Sequence, residues 1–323
     1  MKILIASPAF CQPGLKSMVE YIRGLAEEVV VNPYGRTLKK EEILELWDGA
    51  DGIIAGIEPY TAEVLEKAPA SLKVITRYGV GYNSVDIEAA GKRGIKVSNT
   101  PGVNAPAVAD MTLGLMLAIA RRIPQYDAKT RKGGWSRYVG VGLTGMTLGI
   151  LGLGAIGKEV ALRARGFSMN LMAYDPFFDK DFADKLDIKK ASIEEIARNA
   201  DFITLHVPVS KETEKMINGE FLAKMKSTAF LINAARGELV NEGALYEALK
   251  NNRIAGAALD VFETEPLLES PLFELENIVV TPHLAGHTGQ AEYLMGKLSV
   301  DNTLAILNGK DCKDIVNLRF LKR

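Results

Sequence analysis

Three side chains in the last third of the chain could move a proton to or from a small acid. Histidine is the side chain that ordinarily titrates near neutrality, and the chain has three, His206, His283 and His287. His283 follows Thr281-Pro282, and Glu265 stands 18 residues before it. A carboxylate set against an imidazole orients the ring and favours its charged form. Arg236, in the run Asn233-Ala234-Ala235-Arg236-Gly237, offers a planar fork that suits a carboxylate and can polarise a neighbouring oxygen. Singly, each has a plainer reading. A histidine after a proline is more often structural, and an arginine after a strand is more often half of a surface ion pair.

Such groups need a scaffold that brings distant strand ends together, and residues 147–176 carry its clearest signature: TLGILGLGAIGKEVALRARGFSMNLMAYDP. An apolar run at 148–151 reads as a buried parallel strand, a helical pattern spans 155–165, and a second apolar run at 171–174 ends in Asp175. Between strand and helix, Gly152, Gly154 and Gly157 keep the G-x-G-x-x-G spacing. The first allows a tight turn, the second lets a pyrophosphate approach the backbone, and the third lets helix and strand pack closely. The helix N-terminus offers unpaired N–H groups and partial positive charge to phosphates. Asp175 lies where an acid accepts from the adenosine ribose, and residues 176–179 hold no Lys or Arg to counter a 2′-phosphate. The implied cofactor is NAD. The competing reading is a glycine-rich strand-to-helix turn that binds nothing.

The rest of the chain alternates strand and helix. Strands are expected at 2–6, 29–31, 52–55, 73–76 and 95–98, with helices at 15–28, 40–47, from Thr61, and at 85–93. That is a compact α/β unit with a parallel sheet. Its polar, glycine-rich loops 56–60 and 77–82 follow strands, and so sit at the carboxyl edge where open sheets bind ligands. The glycines of 77–82 could present N–H groups to an anion, or form a plain turn. Residues 99–102 read as a linker. Residues 105–122 form a helix that is apolar nearly all round, a core helix or a subunit interface. Residues 124–145, polar with Trp135 and Tyr138, read as an arm across a partner subunit. Beyond the glycine fingerprint, strands at 202–205, 230–232, 254–259 and 278–280 each end in polar residues, with helices at 193–198, 242–250 and 290–307.

At 323 residues two domains are expected. A net charge of −1 gives no general pull towards nucleic acid or anionic membrane. Cys11 and Cys312 form neither a metal-ligand spacing nor a disulfide framework, which suits a cytoplasmic protein without a metal. The apolar run 111–120, flanked by Asp110 and Arg121-Arg122, is too short to cross a bilayer, and the run 1–6 is too short for a signal peptide.

Taken in order, the 152–157 glycines, Asp175, NAARG at 233–237, ALDVFETEP at 258–266 and TPH at 281–283 resemble the D-2-hydroxyacid dehydrogenases across nearly the whole chain. RYGVGY at 77–82, NTPGVN at 99–104 and the 56–59 loop are most similar to D-3-phosphoglycerate dehydrogenases and related hydroxyacid reductases. The resemblance implies an α/β fold of two doubly wound parallel-sheet domains. A Rossmann-type cofactor domain, residues 100–287, is inserted in a flavodoxin-like substrate domain, residues 1–99 and 288–323. It implies a homodimer formed through the cofactor domain and a catalytic trio of Arg236, Glu265 and His283. The implied NAD contacts are Val108, Gly152, Gly154, Ala155, Ile156, Gly157, Asp175, His206, Val207, Pro208, Ala234, Ala235 and Asp260, the last beside the nicotinamide carboxamide. The implied substrate contacts are Arg77, Tyr78, Gly79, Val80 and Gly81, with Arg236 sharing the acid's carboxylate. Asn83-Ser84 departs from the Asp-Asn pair common in relatives. The chain runs 40 residues past His283, so the regulatory domain of many phosphoglycerate dehydrogenases, and feedback by serine through it, is not expected.

The expected activity is hydride transfer between NAD(H) and a small D-2-hydroxy or 2-keto acid. 3-Phosphoglycerate is favoured by the resemblance but weakened by Glu58 in a loop without arginine; glyoxylate, hydroxypyruvate or another 2-keto acid is the alternative. A different class, a non-enzymatic NAD-sensing corepressor, shares the fold and these motifs.

Overall fold

The computed structural model describes residues 1–321 and divides into two compact units, residues 1–104 with 287–321 and residues 105–286. In the first unit, β1 (Lys2–Ile5), β2 (Glu28–Val31), β3 (Gly52–Ala55), β4 (Val74–Arg77) and β5 (Lys96–Ser98) form a parallel sheet of order β2-β1-β3-β4-β5. Both faces are buried, so the strands read as continuous apolar runs rather than as alternation. Leu4, Ile53, Ile75 and Val97 pack on one face with Ile43, Trp47 and Val64 from helices Lys40–Leu46 and Ala62–Glu66 and the residue after the first of them. Ile3, Ile5 and Ile54 pack on the other with Met18 and Ile22 of Lys16–Arg23 and Met295 and Val300 of Gly289–Leu307. The last helix thus returns to the first unit.

In the second unit the strands are β6 (Thr147–Leu151), β7 (Asn170–Tyr174), β8 (Ile188–Lys190), β9 (Phe202–Leu205), β10 (Phe230–Asn233), β11 (Gly256–Leu259) and β12 (Ile278–Val280). Their order is β12-β11-β10-β9-β6-β7-β8, all parallel. Read from the other edge, this is the dinucleotide-binding order 3-2-1-4-5-6 with one strand added, and the order reverses between β6 and β9. Alternate residues of β6 serve opposite cores: Leu148 and Ile150 join helices Ala105–Arg121 and Ala155–Gly166, while Leu151 faces Ile196 and Leu245.

Several expected elements shift. Helix 15–28 is only Lys16–Arg23, ended by Gly24, and helix 85–93 is Ile87–Lys92, started by Asp86 accepting from Ala89 N–H. The expected arm 124–145 begins with a helix, Ile123–Arg131, whose weak apolar patterning hid it. Helices Lys180–Lys185 and Gly219–Lys224 and strand β8 were missed because each is six residues or fewer. The expected linker 99–102 stays with the first unit, whose first segment ends at Asn104, since Asn99 N–H donates to the Asp314 carbonyl and Thr100 N–H to the Gly79 carbonyl.

Candidate active site

The glycine turn after β6 is built on the carbonyl end of β9. Gly152 has a φ of 101°, open to glycine at little cost, and a Cβ there would lie 2.5 Å from the His206 carbonyl. Gly157 packs so closely on the turn that a Cβ would overlap the Gly152 carbonyl oxygen. At Gly154, by contrast, a Cβ would meet nothing within 4 Å. Open space therefore lies over the turn, beside the N–H groups of Ala155 and Ile156 that begin helix Ala155–Gly166. Asp175 follows β7, its carboxylate accepting from Leu153 N–H and Phe177 N–H, both at 2.7 Å. These contacts fix the acid beside the turn. The cradle fits a dinucleotide: open backbone for phosphates, a helix N-terminus, and an acid held at the neighbouring strand end.

The structure gathers His206 and Val207 against Gly152, with Pro208 next in the chain, and Ala234 and Ala235 at the end of β10. Val108 is buried in the core with Leu153 and Ala234. His206 is no acid–base group at neutral pH. Its Nε2 lies 3.0 Å from the Thr204 hydroxyl, its Nδ1 is buried without a partner, and burial pushes it down to about 3. His287 belongs to the first unit, where it meets Glu292 at 3.2 Å.

His283 is different. Its Nδ1 lies 2.7 Å from Glu265 Oε2, and the ring is half-exposed. Glu265 Oε1 accepts from Phe262 N–H at 3.1 Å, so the carboxylate is oriented before it meets the ring. Gly237 locks Arg236 beside this segment, for a Cβ there would overlap the Phe262 carbonyl. Arg236 itself is part-buried, with one guanidinium nitrogen donating to the Ala235 carbonyl at 2.6 Å. The three side chains therefore come from the carboxyl ends of β10, β11 and β12, which are neighbours in the sheet.

His283 has a φ of 52°, an uncommon backbone state for a residue with a side chain. Asp260, fully buried at the end of β11, holds it there. The Asp260 carbonyl accepts from His283 N–H at 2.7 Å. Its carboxylate accepts from the Thr281 hydroxyl at 2.5 Å, Leu284 N–H at 3.0 Å and Ala285 N–H at 2.9 Å. Losing a buried carboxylate's bonds costs about 1–3 kcal/mol per group left unpaired. This anchoring role was not read from the sequence; the available signal was a lone acid closing the small-residue strand GAAL.

In the first unit, loop 77–82 is pinned from beneath. Gly79 N–H donates to the Thr100 hydroxyl at 3.1 Å, and the Val80 carbonyl accepts from Asn99 at 2.7 Å. Among the described residues, no hydrogen bond takes the N–H of Val80 or Gly81. The side chains of two expected substrate contacts also have partners within the unit. The Tyr78 ring is in the core, edge-on to Phe10 at 5.7 Å, and its hydroxyl donates to the Glu292 carbonyl. Arg77 curls under its own loop and donates to the Tyr78 carbonyl. The Tyr78 ring is drawn inward by packing on Phe10, which spacing alone does not reveal. No group of three or more metal-ligating side chains occurs among the described residues.

Residues 113–285 match the family described as D-isomer specific 2-hydroxyacid dehydrogenase, NAD binding domain. The chain is 43% identical over 299 residues to a D-3-phosphoglycerate dehydrogenase of Methanocaldococcus jannaschii, covering 91% of this chain and 57% of that protein. The chain thus spans little more than half of that relative's length. It is 40% identical over 324 residues to a glyoxylate reductase of Thermococcus kodakarensis, covering 97% of this chain and 96% of that one. A crystal structure of a protein from Thermus thermophilus superposes with a TM-score of 0.86 at 38% identity, covering 98% of this chain and all of the other.

Proposed function

This chain belongs to the D-isomer-specific 2-hydroxyacid dehydrogenase family, and from that premise we propose that it is an NAD-dependent oxidoreductase of a small D-2-hydroxy or 2-keto acid. The observation that carries the reading is the His283–Glu265 pair at 2.7 Å, one sheet edge along from Arg236 and in the same unit as the dinucleotide turn. NAD(H), when bound, supplies or takes the C2 hydride, which no side chain can do. His283 gives the proton to the C2 oxygen in reduction and removes it in oxidation. Glu265 holds the ring and offsets its charge; Arg236 binds the acid and polarises its C2 oxygen. Within the first unit, the N–H groups of Val80 and Gly81, which no hydrogen bond takes among the described residues, suit an anion. Asp260 acts through the backbone of the His283 loop. The sensor reading is not favoured, since the matched relatives carry enzyme names. NADH oxidation with a panel of 2-keto acids tests this: acid-dependent turnover is expected, and NADH binding without turnover of any acid would contradict it.

The glycine turn predicts a separable defect. Gly154→Ala points into open space, so the melting temperature should move by no more than about 4 °C. NADH affinity should fall about tenfold or more, because the phosphates need that approach. Calorimetry and fluorescence titration of the same sample check both. The Asp175 carboxylate faces no cation in residues 176–179, so kcat/KM should favour NADH over NADPH by at least about tenfold; equal values would remove its assigned role.

A homodimer through the second unit fits the segment after helix Ile123–Arg131, where Trp135 is 87% and Val139 93% exposed. Sedimentation of the wild type and of a Trp135→Ala variant tests it. A cytoplasmic site fits the two free cysteines, and no helix among the described residues is long and apolar enough to cross a membrane.

A further inference from the structure

Two carboxylates that the chemistry above does not use tie the segment after β10 to the segment after β11. Glu242 opens helix Glu242–Lys250, and Glu263 lies two residues before Glu265. Each takes the other's backbone N–H. The Glu242 carboxylate accepts from Glu263 N–H at 2.6 Å, and the Glu263 carboxylate accepts from Glu242 N–H at 3.0 Å. The second bond serves one of the helix's unpaired first-turn N–H groups; Asn241 serves another, accepting from Ala244 N–H at 2.9 Å. Lys215 Nζ lies 2.8 Å from Glu263 Oε2. Burial alone would raise the Glu263 carboxyl, but the Lys215 ammonium and the Glu242 N–H outweigh it and hold the carboxyl below its ordinary range. The Lys215 backbone joins the same side, its N–H donating to the Glu238 carbonyl at 2.7 Å.

The joined segments carry Arg236 and Glu265, and they are held differently. Arg236 is braced from its own strand: buried Asn233 donates to the Arg236 carbonyl at 2.8 Å and accepts from Ala235 N–H at 3.0 Å. The Glu265 carboxylate takes its bearing from Phe262 N–H, two residues along the chain from the fixed end of β11 at Asp260. Among the described residues, the only hydrogen bonds to backbone groups of residues 261–266 are that one and the bond from Glu263 N–H to Glu242. The first is internal to the segment. The Glu242 carboxylate is therefore its one hydrogen-bonded tie to the rest of the unit through the backbone, beside the packing of the Phe262 carbonyl on Gly237.

We propose that Glu242 is a positioning residue for the reaction: it fixes Glu263 N–H, and with it the Phe262–Glu265 segment, so that Glu265 meets the His283 ring in the geometry that proton transfer needs. Glu263 and Lys215 hold Glu242 in place from the other side, through its N–H. Since Arg236 is braced by Asn233, loosening this clasp should act on the Glu265–His283 pair and spare the binding of the acid. A displacement of about 1 Å at a catalytic group can cost about 10²-fold in rate. This rests on the oxidoreductase reading above.

The test is steady-state NADH oxidation by the full chain with the 2-keto acid that the wild type reduces fastest. Glu242→Ala should lower kcat by about tenfold or more, leaving NADH affinity unchanged and KM for the acid within about twofold. Glu242→Gln keeps an oxygen for Glu263 N–H and should retain most of the activity. Asn241→Ala removes the other cap of the same helix; it should lower the melting temperature by about 2–4 °C and leave kcat as in the wild type. In a Glu265→Ala background, Glu242→Ala should cost nothing further, because there is no carboxylate left to position. If Glu242→Ala does not fold, Glu242→Asp, still charged but a methylene short, carries the same comparisons. Wild-type kcat in these variants, an equal loss in Asn241→Ala, or additive losses with Glu265→Ala would each overturn the role of Glu242 while leaving the oxidoreductase reading intact. A wild type that reduces no 2-keto acid overturns the reading and the inference together.

Discussion

His283→Ala lowers kcat/KM by about 10²- to 10⁴-fold in both reduction and oxidation, the range expected for loss of a positioned acid–base group. NADH affinity stays unchanged, because His283 lies at the end of β12 while the phosphate cradle is the turn after β6. The choice among three histidines follows from their surroundings. His206 is held neutral by burial, and His287 stands beside Glu292 in the first unit. Only His283 has an oriented carboxylate at one ring nitrogen with the rest of the ring open. Glu265→Gln should also reduce kcat, by a smaller factor, since an amide still meets Nδ1 but offsets no charge. Glu265 acts only through the ring, so in the His283→Ala background the Gln substitution should cost nothing further. Additive losses in that double-mutant cycle would give Glu265 an independent role and break the assigned pair.

Arg236→Lys should raise KM for the acid and lower kcat/KM by about tenfold or more, because lysine cannot make the two-pronged contact of the guanidinium. Lysine keeps the charge, so a purely electrostatic role would predict near-normal activity. The planar fork is what lysine lacks: one nitrogen already bonds the Ala235 carbonyl, leaving the others aligned for an acid. The change should be nearly silent in stability, since the backbone that locks this position is Gly237 on Phe262 rather than the side chain. Steady-state kinetics beside thermal melts separate the two; wild-type KM in the Lys variant would show that the fork is not used.

The fingerprint was legible because its constraints are local. A strand, three glycines, a helix and an acid at 147–176 each leave a mark in residue type. The strand ends were legible for the same reason, and Arg236, Glu265 and His283 could be placed at them. What the sequence did not show is how buried side chains are shared between segments distant in the chain. The resemblance sets Asp260 beside the nicotinamide carboxamide, but does not show that its oxygens are tied to Thr281, Leu284 and Ala285. The resemblance places Tyr78 and Arg77 at the substrate, but does not show that the Tyr78 ring packs on Phe10 or that Arg77 donates to the Tyr78 carbonyl. Short elements such as Lys180–Lys185 and Ile188–Lys190 carry too few residues for periodicity to register.

The most direct test of the central claim follows the hydrogen itself. NADH carrying deuterium in both C4 positions of the nicotinamide is incubated with the wild type and glyoxylate or hydroxypyruvate, and the product is analysed for label and configuration. The account predicts deuterium at C2 of the 2-hydroxy acid, a D product wherever C2 is a stereocentre without the label, and neither in the His283→Ala variant at wild-type rates. Bound NADH that keeps its deuterium in the presence of every 2-keto acid tried would contradict it.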